Sequence, residues 1–171
     1  MMAKGKNMVV QDRRKRTGYT DRNKRLNLLK SGGHRLVVRR SDKYLLAQLV
    51  DYSPEGDKVL ATVSSRELKS QGWKYSCKNL PAAYLTGLLV GKKTKGKVTK
   101  AIVDMGSFVS KKESRIYALV KGAIDSGLDV PVSDKVLPSE ERLKGSHIAS
   151  YRKGAEKITD DFEKMKSKIN G

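Results

Sequence analysis

The chain has 171 residues, and its 37 lysines and arginines against 18 aspartates and glutamates give a formal charge of +19. A length of this order fits one or two domains and lets folding bury roughly 68–70% of the extended chain's surface, so a packed core is available while charge dominates the outside. The single cysteine, Cys77, excludes an intramolecular disulfide framework and a cysteine-rich zinc centre; no run approaches the ~18 apolar residues of a membrane-spanning helix, and the sequence reads as soluble and intracellular.

Residues 1–30 carry ten lysines and arginines against Asp12 and Asp21. Within them, residues 1–18 read as a basic arm, because like charges in a run repel one another until a counter-charged partner neutralises them. Such an arm is expected to be disordered when free. Thr20 or Asp21 can cap a helix from Arg22 to about Ser31, with Leu26 and Leu29 available for packing and Gly32-Gly33 ending it. Three β-rich runs follow, Arg35 to Arg40, Tyr44 to Tyr52 and Val59 to Ser64, whose short connections imply an antiparallel meander. Alternation is imperfect in Tyr44 to Val50, which suggests the central strand.

Ser64 with Glu67 has capping-box spacing, so a short helix is expected to open there and end near Gly72, with Trp73 to Lys78 as loop. Asn79 can cap the next helix, in which Pro81 is tolerated in the first turn; Ala82, Ala83, Leu85, Leu88 and Leu89 form its apolar stripe, and Gly91 reads as its exit. A lysine block (Lys92, Lys93, Lys95, Lys97, Lys100) comes next. Ala101 to Met105 reads as a fourth strand reached through a helix, hence parallel to a meander strand. Ser110 and Glu113 have the spacing of a second capping box, opening a helix with Ile116, Leu119, Val120, Ala123 and Ile124 on one face and a stop at Gly127. Residues 131–171 read as an irregular extension and then a C-terminal helix carrying Ile158, Phe162, Met165 and Ile169 at helical spacing. The expected fold class is α/β: a small mixed sheet, with a three-stranded antiparallel meander plus a parallel strand, packed helices, a basic N-terminal arm and a C-terminal helix. One α/β domain spans 19–130.

Enzymatic readings fail on their residue requirements. A meander followed by helix, parallel strand and helix occurs in ribonuclease-H-like nucleases, but two-metal chemistry needs clustered carboxylates. Here the first strand offers Arg35, Arg39 and Arg40, Asp104 stands alone on the fourth, and Asp51 and Asp57 lie at strand ends or turns. Gly87 to Thr94 faintly resembles a phosphate loop, yet it follows a helix where such a loop must precede one, and Lys93 replaces the magnesium-binding hydroxyl. His34 and His147 are too isolated to hold a metal. No nucleophile, base and orienting group can be assembled, and no cofactor is implied.

Phosphate oxygens are the ligands such cations suit, since neutralising them releases condensed counterions. The excess exceeds the ~2–8 charges that solubility asks of a small domain. The candidate ligands are Arg13, Arg14, Lys15 and Arg16 in the arm, Arg22, Lys24 and Arg25 in the first helix, Arg35, Arg39, Arg40, Ser41 and Lys43 around the first hairpin, and Lys92 and Lys93 in the lysine block. Tyr19 can stack on an unpaired base or staple the helix start. Trp73 and Tyr75 can be stacking groups or lids over the core. The terminal helix balances lysines with acids, which leaves no basic face for a membrane.

Three stretches, Tyr19-Thr20-Asp21-Arg22-Asn23-Lys24-Arg25, Arg35-Leu36-Val37-Val38-Arg39-Arg40-Ser41 and Ala47-Gln48-Leu49-Val50, resemble the 5S-rRNA-binding large-subunit ribosomal proteins, the universal protein eighteen family, in their archaeal form. Asn79 to Leu89 is the most specific match, and Asp104-Met105-Gly106 with Lys121 to Pro131 is similar to a later signature. The resemblance implies a non-catalytic scaffold of the cytoplasmic ribosome that joins 5S rRNA to large-subunit rRNA in the central protuberance. Its implied partners are these RNAs and neighbouring ribosomal proteins, with no small-molecule substrate.

Overall fold

A computed structural model describes Val10, residues 13–18 and residues 21–170. Most of the expected basic arm, and Tyr19, therefore lie outside the described residues. The described part of the arm contains one helical turn, α1 (Arg13–Arg16), with the Thr17 hydroxyl donating to the Arg13 carbonyl.

Four strands form one sheet: β1 (His34–Arg40), β2 (Leu45–Asp51), β3 (Lys58–Ser64) and β4 (Ala101–Asp104), in the spatial order β3-β2-β1-β4. The first three pair antiparallel, and β4 runs parallel to β1 with Arg35 opposite Ile102 and Val37 opposite Asp104. The mixed sheet is the one expected. Both β1 and β2 are interior strands, so centrality is shared. A register shift at Leu49/Val50 bends β3 against β2.

Strand alternation divides the sheet into two faces. Leu36, Val38, Leu45, Ala47, Leu49 and Val63 point into the principal core. Arg35, Val37, Arg39, Gln48, Val50 and Ile102 belong to the opposite, outer face, as their cross-strand pairing requires. The core face is covered by α4 (Leu80–Thr94), against which α5 (Arg115–Asp125) and α8 (Ile158–Asn170) pack. Asn79 caps α4 by accepting the Ala82 N–H at 2.9 Å, as its sequence position predicts. Ile158, Phe162, Met165 and Ile169 are all buried in the same cluster as the sheet residues.

Two sequence expectations are corrected. Gly91 does not end α4, which runs three residues further and carries Lys92 and Lys93 in its last turn. Close packing explains that glycine: a Cβ there would lie 1.5 Å from the Ser126 hydroxyl oxygen, and one at Gly87 would lie 2.0 Å from the Leu119 carbonyl oxygen. The Ser110–Glu113 capping box also does not form. Helix α5 starts after Ser114, while Glu113 takes a left-handed φ of +53°, donates its N–H to Val136 and pairs its carboxylate with Arg142. The first box is half made: Glu67, opening α3 (Glu67–Ser70), accepts the Ser64 N–H at 3.0 Å, but the Ser64 hydroxyl accepts from Arg66 instead of Glu67.

The chain from 131 to 157 holds a single 3₁₀ turn (Asp134–Val136), α6 (Glu140–Lys144) and α7 (Ser146–Tyr151). Trp73 is buried, donates Nε1–H to the Ser76 carbonyl and meets Tyr75 edge-on at 5.1 Å. The Tyr75 hydroxyl donates to Asp161 of α8 at 2.9 Å, so this pair packs as a lid over the core.

Candidate nucleic-acid interface

Helix α2 (Arg22–Lys30) forms because Asp21 accepts the Lys24 N–H at 3.0 Å, and it ends where Gly32 takes a φ of +65°. Leu26 and Leu29 do not bury it: none of its nine residues is buried, and Leu26 is 52% exposed. An isolated helix shorter than ~12–15 residues is marginal in water, so α2 needs attachment from outside. It lies over the outer face of the sheet, where Leu28 and Asn27 share a shallow cleft with Ile102 of β4.

Polar contacts supply that attachment. Arg25 donates to the Asp57 carboxylate at 2.9 Å, and Lys24 donates to the Gly106 carbonyl at 2.9 Å. The Gly106 N–H in turn bonds the Asp104 carboxylate at 2.8 Å. Between the two carboxylates lies Arg35, only 2% exposed, with its guanidinium 2.7 Å from Asp57 and 3.4 Å from Asp104. Burial would raise the Asp57 carboxyl, but hydrogen bonds and charge from Arg35 and Arg25 outweigh it and hold the group below the ordinary aspartate value. Arg35 thus departs from its expected place among the exposed cations, because its alternation parity sends it under α2 and between two acids.

The other candidates are at the surface. Arg39 donates to the Val38 and Asp104 carbonyls, both at 3.0 Å, and stays 41% exposed. It passes beside Gly106, where a Cβ would meet its guanidinium carbon at 3.1 Å. Exposed Arg40 sits 4.5 Å from the Phe108 ring centroid. In the hairpin turn the Ser41 hydroxyl accepts the Tyr44 N–H and donates to the Tyr44 carbonyl, both at 3.0 Å, next to exposed Lys43. Arg22 and Lys24 line a cleft of about 650 Å³ with Gly18, Asn23, Gly106 and Ser107. Lys24, Arg39 and the Gly106 turn therefore bring the basic residues of α2 and of the β1 end onto one continuous rim. Arg13 and Arg16 are exposed on the arm's helical turn, to which Arg14 and Lys15 also belong.

Lys92 and Lys93 stand apart, on the helix-covered side. Lys93 pairs with Glu67 at 2.8 Å and reaches the Thr62 carbonyl, and both lysines line a cleft of about 410 Å³ with Gln71, Leu89, Lys168 and Ile169. Lys168, which donates to the Gln71 carbonyl at 3.0 Å, was missed by the sequence reading because its own helix is charge-balanced. Asp57 and Asp104 were likewise read only singly, since nothing in local spacing reveals that two distant acids share one arginine. Both carboxylates are occupied by arginines, and among the described residues no group of three or more His, Cys, Asp or Glu side chains could hold a metal ion.

Residues 6–101 match the family described as "Ribosomal large subunit proteins 60S L5, and 50S L18". The chain is 49% identical over 161 residues to the large ribosomal subunit protein uL18 of Korarchaeum cryptofilum, spanning 94% of this chain and 81% of that relative. It is 45% identical over 168 residues to the same protein of Methanococcus maripaludis, spanning 98% and 87%. The basic surface thus accompanies a likeness that runs nearly end to end, and the chain belongs to the uL18 family, structural constituents of the large subunit of the cytoplasmic ribosome and not enzymes.

Proposed function

We propose that this protein binds 5S rRNA and attaches it to large-subunit rRNA in the central protuberance. The observation that carries the reading is α2, a helix that presents Arg22, Lys24, Arg25 and Lys30, buries no side chain of its own, and meets Arg39 at the Gly106 turn, with exposed Arg40, Ser41 and Lys43 at the end of β1 beyond it. A surface held in place by polar contacts and lined with cations is suited to phosphates, whose neutralisation supplies salt-sensitive affinity. Recognition is by backbone and shape, with sequence read at unpaired bases, since side chains cannot enter the deep groove of A-form RNA. Tyr19 is the candidate stacking group. The arm, with Arg13, Arg14, Lys15 and Arg16, reaches into neighbouring rRNA.

A second basic site, Lys92 and Lys93 with Lys168, lies on the other side of the sheet, which favours contact with two RNA segments over one. Arg35 is left out of this interface by its burial. Purification at moderate salt, followed by sizing of the bound RNA, tests the reading. A discrete 5S-sized species is the expected result, and a random RNA smear removed by mild salt would reject it.

A further inference from the structure

Among the described residues, two polar contacts join α2 to the body of the protein and lead to Arg35. One runs from Arg25 to Asp57, whose Oδ2 lies 2.9 Å from Arg25 and 2.7 Å from Arg35. The other runs from Lys24 to the Gly106 carbonyl, through the Gly106 N–H to Asp104, and from Asp104 to Arg35. A planar fork that bridges two carboxylates suits a guanidinium and not an ammonium. Deleting it leaves Asp57 and the nine-tenths-buried Asp104 to repel each other without their shared counter-charge.

From this closed circuit we infer that Arg35 is a positioning residue: it touches no RNA, and through Asp57 and Asp104 it fixes the orientation in which α2 presents Arg22 and its neighbours to phosphate. The inference rests on the RNA-binding reading for its consequence but not for its structural half. Arg39 shares Asp104 at 3.5 Å and is itself on the rim, so the circuit also sets the angle between α2 and the end of β1. Asp57 and Asp104 thereby act as part of a basic interface although they carry the opposite charge.

The test uses the full chain with Arg35→Met and, because that variant can fail to fold, Asp57→Asn, which cuts the Arg25 tether at a partly exposed position. Amide hydrogen exchange is read in the free protein, at α2 and at α4. In both folded variants α2 amides should exchange at least about tenfold faster while α4 amides keep their protection. A 5S rRNA transcript is then titrated against Arg22→Ala in the parent and in the Asp57→Asn background. The affinity lost on removing Arg22 should shrink at least about threefold in the second background, whereas strict additivity would show that the circuit does not position it. Unchanged α2 protection in Asp57→Asn, or α2 already unprotected in the parent, overturns the inference. So does an Arg35→Met protein with protected α2 and a salt slope lowered by about one, which would make Arg35 a direct phosphate ligand. Failure of the parent to bind the transcript rejects the functional reading and leaves the exchange result to stand alone.

Discussion

Helix α4 buries thirteen of its fifteen residues, whereas α2 buries none of its nine, and different forces hold the two in place. Around α4 the restraint is steric: sheet, α5 and α8 enclose it, and Gly87 and Gly91 let α5 approach to backbone contact. Around α2 the restraint is electrostatic, through Arg25, Lys24 and the acids that share Arg35. Packing of the first kind is indifferent to salt and pH, while the second responds to both and can be retuned by a polyanion. A ribosomal protein of this family thus separates a rigid body from a charged, adjustable face.

The sharpest way to break the comparison is at Gly87. Gly87→Ala forces a methyl group against the Leu119 carbonyl, so its cost should reach the top of the ~1–3 kcal/mol range of overpacking or exceed it. A thermal denaturation midpoint equal to the parent's would show that α4 and α5 are not in contact there. The counterpart on the charged side is Arg22→Ala with Arg25→Ala. Affinity for a 5S rRNA transcript should fall and the slope of log K against log salt should flatten by about one, the share of Arg22, since Arg25 is engaged by Asp57, with little change in thermal midpoint; an unchanged slope removes Arg22 from the phosphate contacts.

Acid separates the regions more gently. The Asp57 carboxyl is held below its unfolded value of about 3.9, so its contribution is complete above that pH and is lost as pH falls through the lowered folded value. Amide NMR between pH 5 and 2.5 should show α2 resonances moving before those of α4, and simultaneous change would argue against a separate electrostatic tether. The smallest effect belongs to Lys166→Ala. Its ammonium lies 5.6 Å from the Tyr84 ring centroid, a contact of ~0.5–1 kcal/mol at most, and RNA affinity should stay within about twofold of the parent. A larger loss in a filter-binding titration would extend the RNA surface onto α8.

Legibility in the sequence follows the same division. Strand boundaries, the parallel placement of β4, the Asn79 cap and the apolar spacing of α8 were readable because each depends on local periodicity or capping chemistry. Gly91 was misread because a glycine that permits helix contact and one that ends a helix look alike until the neighbouring Ser126 is located. Glu113 was misread because its partners, Val136 and Arg142, are more than twenty residues away. Most of the candidate rim was legible as charge alone. Arg35 was not, since charge says nothing about which face of β1 is roofed by a helix, and Asp57 and Asp104 become intelligible only once the register aligns them.

The position of α8 in the chain has a consequence for biosynthesis. Phe162, Met165 and Ile169 seal one flank of α4, and Asp161 anchors Tyr75 beside Trp73, so an emerging polypeptide that has not yet extended past residue 158 keeps that flank wet. Closure must wait for α8 to leave the exit tunnel, and until then the uncovered leucines are a target for chaperones or for self-association. A nascent copy of this protein therefore gains its cationic exterior before its interior is shut, and premature capture by RNA would act on a half-sealed body.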